Sequence, residues 1–348
     1  MNSLYEYRSE LDQLNFTSEQ KALLTAGIRE NAAAKTPAAH RPLRRTAILA
    51  VTAAVILTAG GAVFASGQTG KLFAPVFGTA QTEVIDKIGL PVGAGATSSG
   101  ITVTADAIIG DKYSACIIYT VKRADGSALG LPSGVSAEDL SFAQADCGLS
   151  GIDGSYGSSW FTDGESDGTA RFVENISSAG ALKRGQAHAD FRGLRYCDPV
   201  SGKMVALSDG EWKFDFSVDY EDSSVSLPAE ETFSHNGIHF TITEISISPV
   251  AAHVVYRADS RADWGKEAAD GREPSQAAGE SDRFLGNVSV ILTKKDGSTL
   301  DLTGSGGSIQ ASGDKTVCTK SGMFKEIIPL KDMESITIGG VQIPIHSD

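Results

Sequence analysis

Residues 237–257 read GIHFTITEISISPVAAHVVYR, and residues 100–120 read GITVTADAIIGDKYSACIIYT. In each stretch a Gly-Ile opens an alternating apolar run, a short break follows, and a second β-branched run closes on a tyrosine. Gly100 to Tyr119 and Gly237 to Tyr256 are both nineteen positions. Alternation with a period of two marks a strand that buries one face. A strand, break and strand of fixed length occurring twice predicts two β domains. Ile101, Val103, Ile238 and Phe240 then face the cores, and a tyrosine packs at the end of each second strand.

The surrounding sequence agrees. In EWKFDFSVDY, Trp212, Phe214, Phe216 and Val218 alternate with polar residues, and Val288, Val290 and Leu292 do the same in NVSVILTKKDG. Glycine is frequent, at 38 residues, and recurring Asp-Gly and Ser-Gly pairs supply turn chemistry. Strands joined by such turns, without helical patterns between them, predict a mainly β fold of tandem antiparallel sandwiches. We place them at residues 98–228 and 229–348, with VDYEDSSVSLPAEE as the connection. A chain of 348 residues is too long for one core.

Charge is unevenly divided. Residues 1–45 carry seven Lys/Arg against five Asp/Glu, so with a total of −13 the remainder stands at −15. Nucleic-acid affinity comes largely from Lys and Arg on phosphates, so nucleic acid is not expected as a partner.

Residues 46–65, TAILAVTAAVILTAGGAVFA, hold no charge and are long enough for a transmembrane helix. Arg41, Arg44 and Arg45 precede the run, whereas Lys71 is the only base in the twenty residues after it. The bias predicts a single-pass cell-membrane protein, with a cytoplasmic N-terminus and extracytoplasmic β domains. Cleavage after Ala65 is the competing reading, and a 45-residue charged leader is long for a signal peptide. Ala50, Ala54, Thr58 and Ala62 form a line of small residues along one face of that helix.

Within residues 1–45, Leu4, Tyr7, Leu11 and Leu14 have helical spacing, and Thr17-Ser18-Glu19-Gln20 fits a capping box that opens a second helix carrying Leu23, Leu24 and Ile28. This cytoplasmic helical hairpin is too small to bury its apolar face alone, and those seven residues are candidates for docking a partner. Residues 66–97 read as an extracytoplasmic tether with a short helix near Thr82–Ile88.

The order LNFTSEQKALL, an Ala-rich span after arginines, FAPVFGTAQTEVIDKIG and GITVTADAIIGDKYSACIIYTVKRADG resembles the bacterial family of domain of unknown function 4179. The segment after residue 229 resembles the immunoglobulin-like module that often follows it. The resemblance implies two tandem immunoglobulin-like sandwiches on a single-pass anchor in a Gram-positive bacterium. It also implies regulators that act beside extracytoplasmic-function sigma factors, and it carries over no catalytic residues.

Candidate chemistry is sparse. Asp163, Glu165, Asp167 and Glu174 fall at positions 1, 3, 5 and 12 of a calcium loop, with Gly168 at position 6, although Arg171 stands at position 9 and the flanks look like strands. Gly164-Glu165-Ser166-Asp167-Gly168 has the letters of a nucleophile elbow, but no helical pattern follows it. Of four cysteines, Cys147 and Cys197 are the first pair to consider for a disulfide, while Cys116 sits in an apolar strand. His188 and Asp190 share one side of a strand without a third ligand. No cofactor is expected, and the chain reads as a non-enzyme. Two functions fit: an envelope sensor or regulator of anti-sigma type, whose helices hold a sigma factor or another regulator, or a surface module that binds cell-wall or other surface ligands.

Overall fold

The structure is a computed structural model that describes residues 54–57, 69–78, 84, 88–149, 155–164, 168–264 and 275–346. All of them fall in a single unit. The candidate docking residues Leu4, Tyr7, Leu11, Leu14, Leu23, Leu24 and Ile28 lie outside the described residues.

In chain order the first half holds β1 (Ala54–Leu57), helix α1 (Thr69–Phe77), β2 (Gly89–Ser98), β3 (Ile101–Gly110) and β4 (Ser114–Arg123). It continues with β5 (Leu140–Leu149), β6 (Ser155–Asp163), β7 (Ala170–Ser178), β8 (Gly185–Cys197) and β9 (Met204–Val218). The second half holds β10 (Val225–Ser226), β11 (Thr232–His235), β12 (Ile238–Ile247), β13 (Ala251–Ala258) and helix α2 (Ser275–Phe284). After α2 come β14 (Val290–Lys294), β15 (Thr299–Asp301), β16 (Gly307–Ser312), β17 (Lys315–Met323), β18 (Met333–Ile338) and β19 (Val341–Pro344).

The chain is mainly β, and its sheets are antiparallel. A six-stranded sheet, β1-β2-β3-β4-β7-β6, faces a three-stranded one, β5-β8-β9. Between them lie Val103, Ile117, Tyr119, Phe172, Phe191, Trp212 and Phe214. The Trp212 indole N–H ties the two sheets by donating to the Ile101 carbonyl at 2.8 Å. In the second half, β10-β12-β13-β17-β16, with β11 also on β12, faces β15-β14-β18-β19. That core holds Phe240, Ile242, Val254, Tyr256, Phe284, Leu292 and Ile336.

The repeat has a single structural form. Ser99-Gly100 and Asn236-Gly237 all have positive φ, which makes each pair the two-residue turn that suits the twist of a hairpin. Each first strand is bulged at the same place, between Ala105 and Ala107 in β3 and between Ile242 and Glu244 in β12. The next turns also match. Asp111 Oδ1 accepts the Tyr113 and Ser114 amides at 2.8 and 2.7 Å, while Ser248 Oγ accepts those of Val250 and Ala251 at 3.2 and 3.0 Å. Tyr119 and Tyr256 are fully buried.

These two hairpin tips meet. The Ser248 hydroxyl donates to Asp111 Oδ2 at 2.7 Å, and the Tyr220 hydroxyl donates to the Asp111 carbonyl at 3.0 Å. The Tyr113 ring stacks on His253 with centroids 3.6 Å apart, and its hydroxyl donates to Glu244, which Lys112 also approaches at 3.4 Å. A third apolar cluster joins α1, through Leu72, Phe73 and Phe77, to Cys116 and Ile118 of β4 and to Val250 and Ala251 at the second tip.

Three expectations change. β2 occupies the end of the expected tether. Its GLPVGAGATS has little propensity for strand, and it is held by hairpin pairing to β3 across a bulge between Pro91 and Ala94, with β1 on its other edge. The connection VDYEDSSVSLPAEE, residues 218–231, is part of both sandwiches: Tyr220 belongs to the first core, and Val225–Ser226 pairs with Ile247 and Ser246. At the centre of the expected membrane helix, Ala54–Leu57 is a strand paired with Ala94–Thr97, where Val55 and Ile56 suit a β edge as well as a helix. The other residues of 46–65 lie outside the described ones, and no described helix is long and apolar enough to cross a membrane.

Candidate functional site

Glu174 sits in the stretch RFVENI of β7, opposite Ile117 of β4 and Ser159 of β6. Strand alternation places its side chain on the same face as Phe172 and Ile176, so the carboxylate enters the gap between the two sheets of the first sandwich. There the Tyr119 hydroxyl donates to Glu174 Oε2 at 3.1 Å and lies 3.4 Å from Cys147 Sγ of β5. Rings of Phe172, Phe191 and Phe214 surround Tyr119. Burial pushes the Glu174 carboxyl up to about 7, against the pull of the Tyr119 and Cys147 hydrogen bonds and with a smaller push from the Asp146 charge. Burial also raises the Cys147 thiol, with Glu174 adding to it, so the sulfur stays protonated at neutral pH.

The cluster opens into a cleft of about 260 Å³ between the edges of β5 and β6. Its walls include Asp146, Cys147, Ser158, Ser159, Glu174 and Asn175. On the other side of β6 a second groove, about 300 Å³, runs between the two sandwiches past Tyr156, Ser158, Ser177, Ser305, Ser321 and Met323. The Asn175 amide oxygen is buried here without a hydrogen-bond partner. Such a surface offers donors, acceptors and a carboxylate to a polar ligand. Among the described residues it holds no activated nucleophile: burial keeps the Cys147 thiol protonated, and His188 projects over Gly148 on the outer face of β5 and β8.

The residues singled out from the sequence are placed differently from their expected groupings. Asp163 and Glu174 lie on paired strands, with Asp163 opposite Ala170 and Glu174 opposite Ser159. Four strand positions, about 13 Å, separate them, too far to share one ion. Glu165, Ser166 and Asp167 lie outside the described residues. Among the described residues no group of three His, Cys, Asp or Glu side chains is placed to hold a metal. Cys147 and Cys197 do not pair. Cys147 lies opposite Ala189, whereas Cys197 ends the same strand eight residues on, and all four cysteines are free. His188 and Asp190 do share a face, but Asp190 is engaged by Arg192 at 3.1 Å and Lys213 at 3.0 Å.

The grouping of Tyr119, Cys147 and Glu174 was not expected. Its one signal in the sequence was a glutamate between Phe172-Val173 and Ile176 in RFVENI. Its partners come from strands 27 and 55 residues upstream, and only the sheet pairing brings them together.

No family model matches the chain, and no curated protein matches it. A solved structure, that of a conserved domain protein from Bacillus anthracis, is similar at 14% identity with a TM-score of 0.45, over 75% of this chain and 80% of that one. At that level the likeness carries no argument. The resemblance to domain of unknown function 4179 rests on the residues quoted for it.

Proposed function

We propose that the chain is a non-catalytic, single-pass envelope protein whose two sandwiches, immunoglobulin-like in kind, receive a ligand outside the membrane. In this reading the helix pair within residues 1–45 docks a cytoplasmic regulator such as a sigma factor. The observation that carries it is the order of the chain: an uncharged run at 46–65 directly behind Arg41, Arg44 and Arg45, then a β-rich body that presents a polar cleft. Strand pairing by Ala54–Leu57 and a helix through 46–65 exclude each other for these four residues.

Fractionation and surface proteolysis of cells expressing the full chain decide between them. Membrane attachment that resists alkaline carbonate, with residues 98–348 digested from outside and residues 1–45 protected, supports the proposal; release into the soluble fraction overturns it. A second reading, a surface-binding module without a signal, is favoured by the openings on both sides of β6. Deleting residues 1–35 separates the two. Loss of a transcriptional response supports the sensor, and surface binding with unchanged transcripts supports the binding module.

A further inference from the structure

β6 is the last strand of its sheet, with β7 as its one partner in the described residues. The Gly164 amide donates to the Thr169 carbonyl at 3.1 Å, which makes that pair hydrogen-bonded. Bonded pairs alternate along an antiparallel ladder, so Thr162, Trp160 and Ser158 turn their amides and carbonyls toward β7. Gly157 and Ser159 therefore turn theirs to the open side, whereas at Phe161, which is buried, the turn at Ala137–Asp139 packs against the strand.

Natural edges are usually guarded by a lysine, a proline or a covering element. Residues 155–162, SYGSSWFT, contain no charge and no proline, and Gly157, Ser158, Ser159 and Trp160 are exposed. The second sandwich treats the same place differently. There Gly307 of β16, opposite Lys320, is the counterpart of Ser159, opposite Glu174, and it lies against the Leu285 side chain just beyond α2.

We propose that β6 takes up an extended peptide as an added strand, and that a basic side chain of this peptide enters the cleft toward Glu174 and Asp146. Backbone pairing along Gly157 and Ser159 supplies affinity, and alternate side chains supply selectivity. Charge chooses the partner. The cleft carries Asp146 and Glu174, Asp163 ends the strand, and the chain has a net charge of −13. A basic peptide complements this surface, and a second copy of the chain repels it. The proposal does not rest on membrane attachment.

The test uses the full chain and two capped heptapeptides of alternating threonine and valine, one with a central lysine and one with a central glutamate. The lysine peptide is expected to bind and to slow hydrogen exchange at the Gly157 and Ser159 amides. The glutamate peptide, and Glu174→Gln with the lysine peptide, should each bind about tenfold more weakly. Ser159→Pro removes an outward amide without touching the β7 ladder, and it should abolish binding with the melting temperature retained. If that variant does not fold, N-methylation of the lysine peptide's backbone makes the same cut from the other side. Absent protection at the two amides, equal binding of the two peptides, or binding that survives backbone blockade overturns the proposal. So does a dimer of the free protein that Ser159→Pro dissociates.

Discussion

Residues 100–120 and 237–257 form the same hairpin twice, and they differ in what each is asked to bury beside its tyrosine. Two residues before each tyrosine, Ile117 pairs with Glu174 and Val254 pairs with Lys320. One sandwich therefore holds a carboxylate and the other an ammonium at the same position between its sheets. Lys320 Nζ donates to the carbonyls of Val288 at 2.9 Å and Thr303 at 2.6 Å, and burial lowers its pKa to about 8. The Tyr256 hydroxyl meanwhile donates to the Phe284 carbonyl at the end of α2. That place is closed by protein. In the first sandwich the Tyr119 hydroxyl donates to Glu174, and the space beyond is a cleft. The repeat preserves a fold, and the divergence at one edge is where a function has room.

The comparison breaks most severely at the tips, where the two hairpins use different residues for one task. Asp111→Ala should cost about 3 kcal/mol or more, because it strands two buried amides and the Ser248 hydroxyl together. Ser248→Ala, at the equivalent position, should cost about 1–2 kcal/mol. Urea unfolding of the single and double variants measures both. If Asp111 and Ser248 act across the junction, the double variant loses less than the sum of the singles.

Next in size is the effect of pH on Glu174. Its carboxyl ionises near 7 in the folded chain and near 4.5 when unfolded. Between those values the unfolded chain releases a proton that the folded one keeps, so this group removes stability as pH rises from 4.5 to 7. Glu174→Gln should therefore be more stable than the parent at pH 8, by up to about 3 kcal/mol, and should differ little at pH 4. His253 tilts the other way. Burial lowers it to about 4 from 6.5, so its share of stability is lost as pH falls through that window. Melting temperatures of Glu174→Gln and His253→Gln against pH should then diverge from the parent at opposite ends of the scale.

What could be read in the sequence follows from how local each feature is. The alternation of Trp212, Phe214, Phe216 and Val218 is written along one strand, and all four are buried as it predicts. The repeat is equally local, since turn, bulge and tyrosine all lie within twenty-one residues. β2 was not legible although its partner β3 is next in the chain, because GLPVGAGATS lacks the alternation and the β-branched residues that mark a strand. Glu174 drew attention through spacing to Asp163, and the hairpin register separates the two. Its real partners, Tyr119 and Cys147, lie on strands no spacing rule connects. Sheet pairing is non-local, so sites built across sheets stay hidden until the register is known.

The smallest expected effect is the most discriminating, because it changes one oxygen in each copy. Tyr119→Phe and Tyr256→Phe each remove one hydroxyl from a fully buried ring and leave the packing intact. Tyr256→Phe loses a neutral hydrogen bond to a carbonyl and should cost about 1 kcal/mol at every pH from 5 to 9. Tyr119→Phe should cost about as much at pH 9, where Glu174 is ionised and needs the donor, and less at pH 5, where the carboxyl is neutral. Removing a hydrogen bond that favours the charged form must also move the Glu174 titration further upward, which proton-coupled carboxyl shifts measured by NMR would record. If the two variants show the same flat dependence on pH, Tyr119 does not serve Glu174, and the polar opening of the first sandwich has no counterpart in its chemistry.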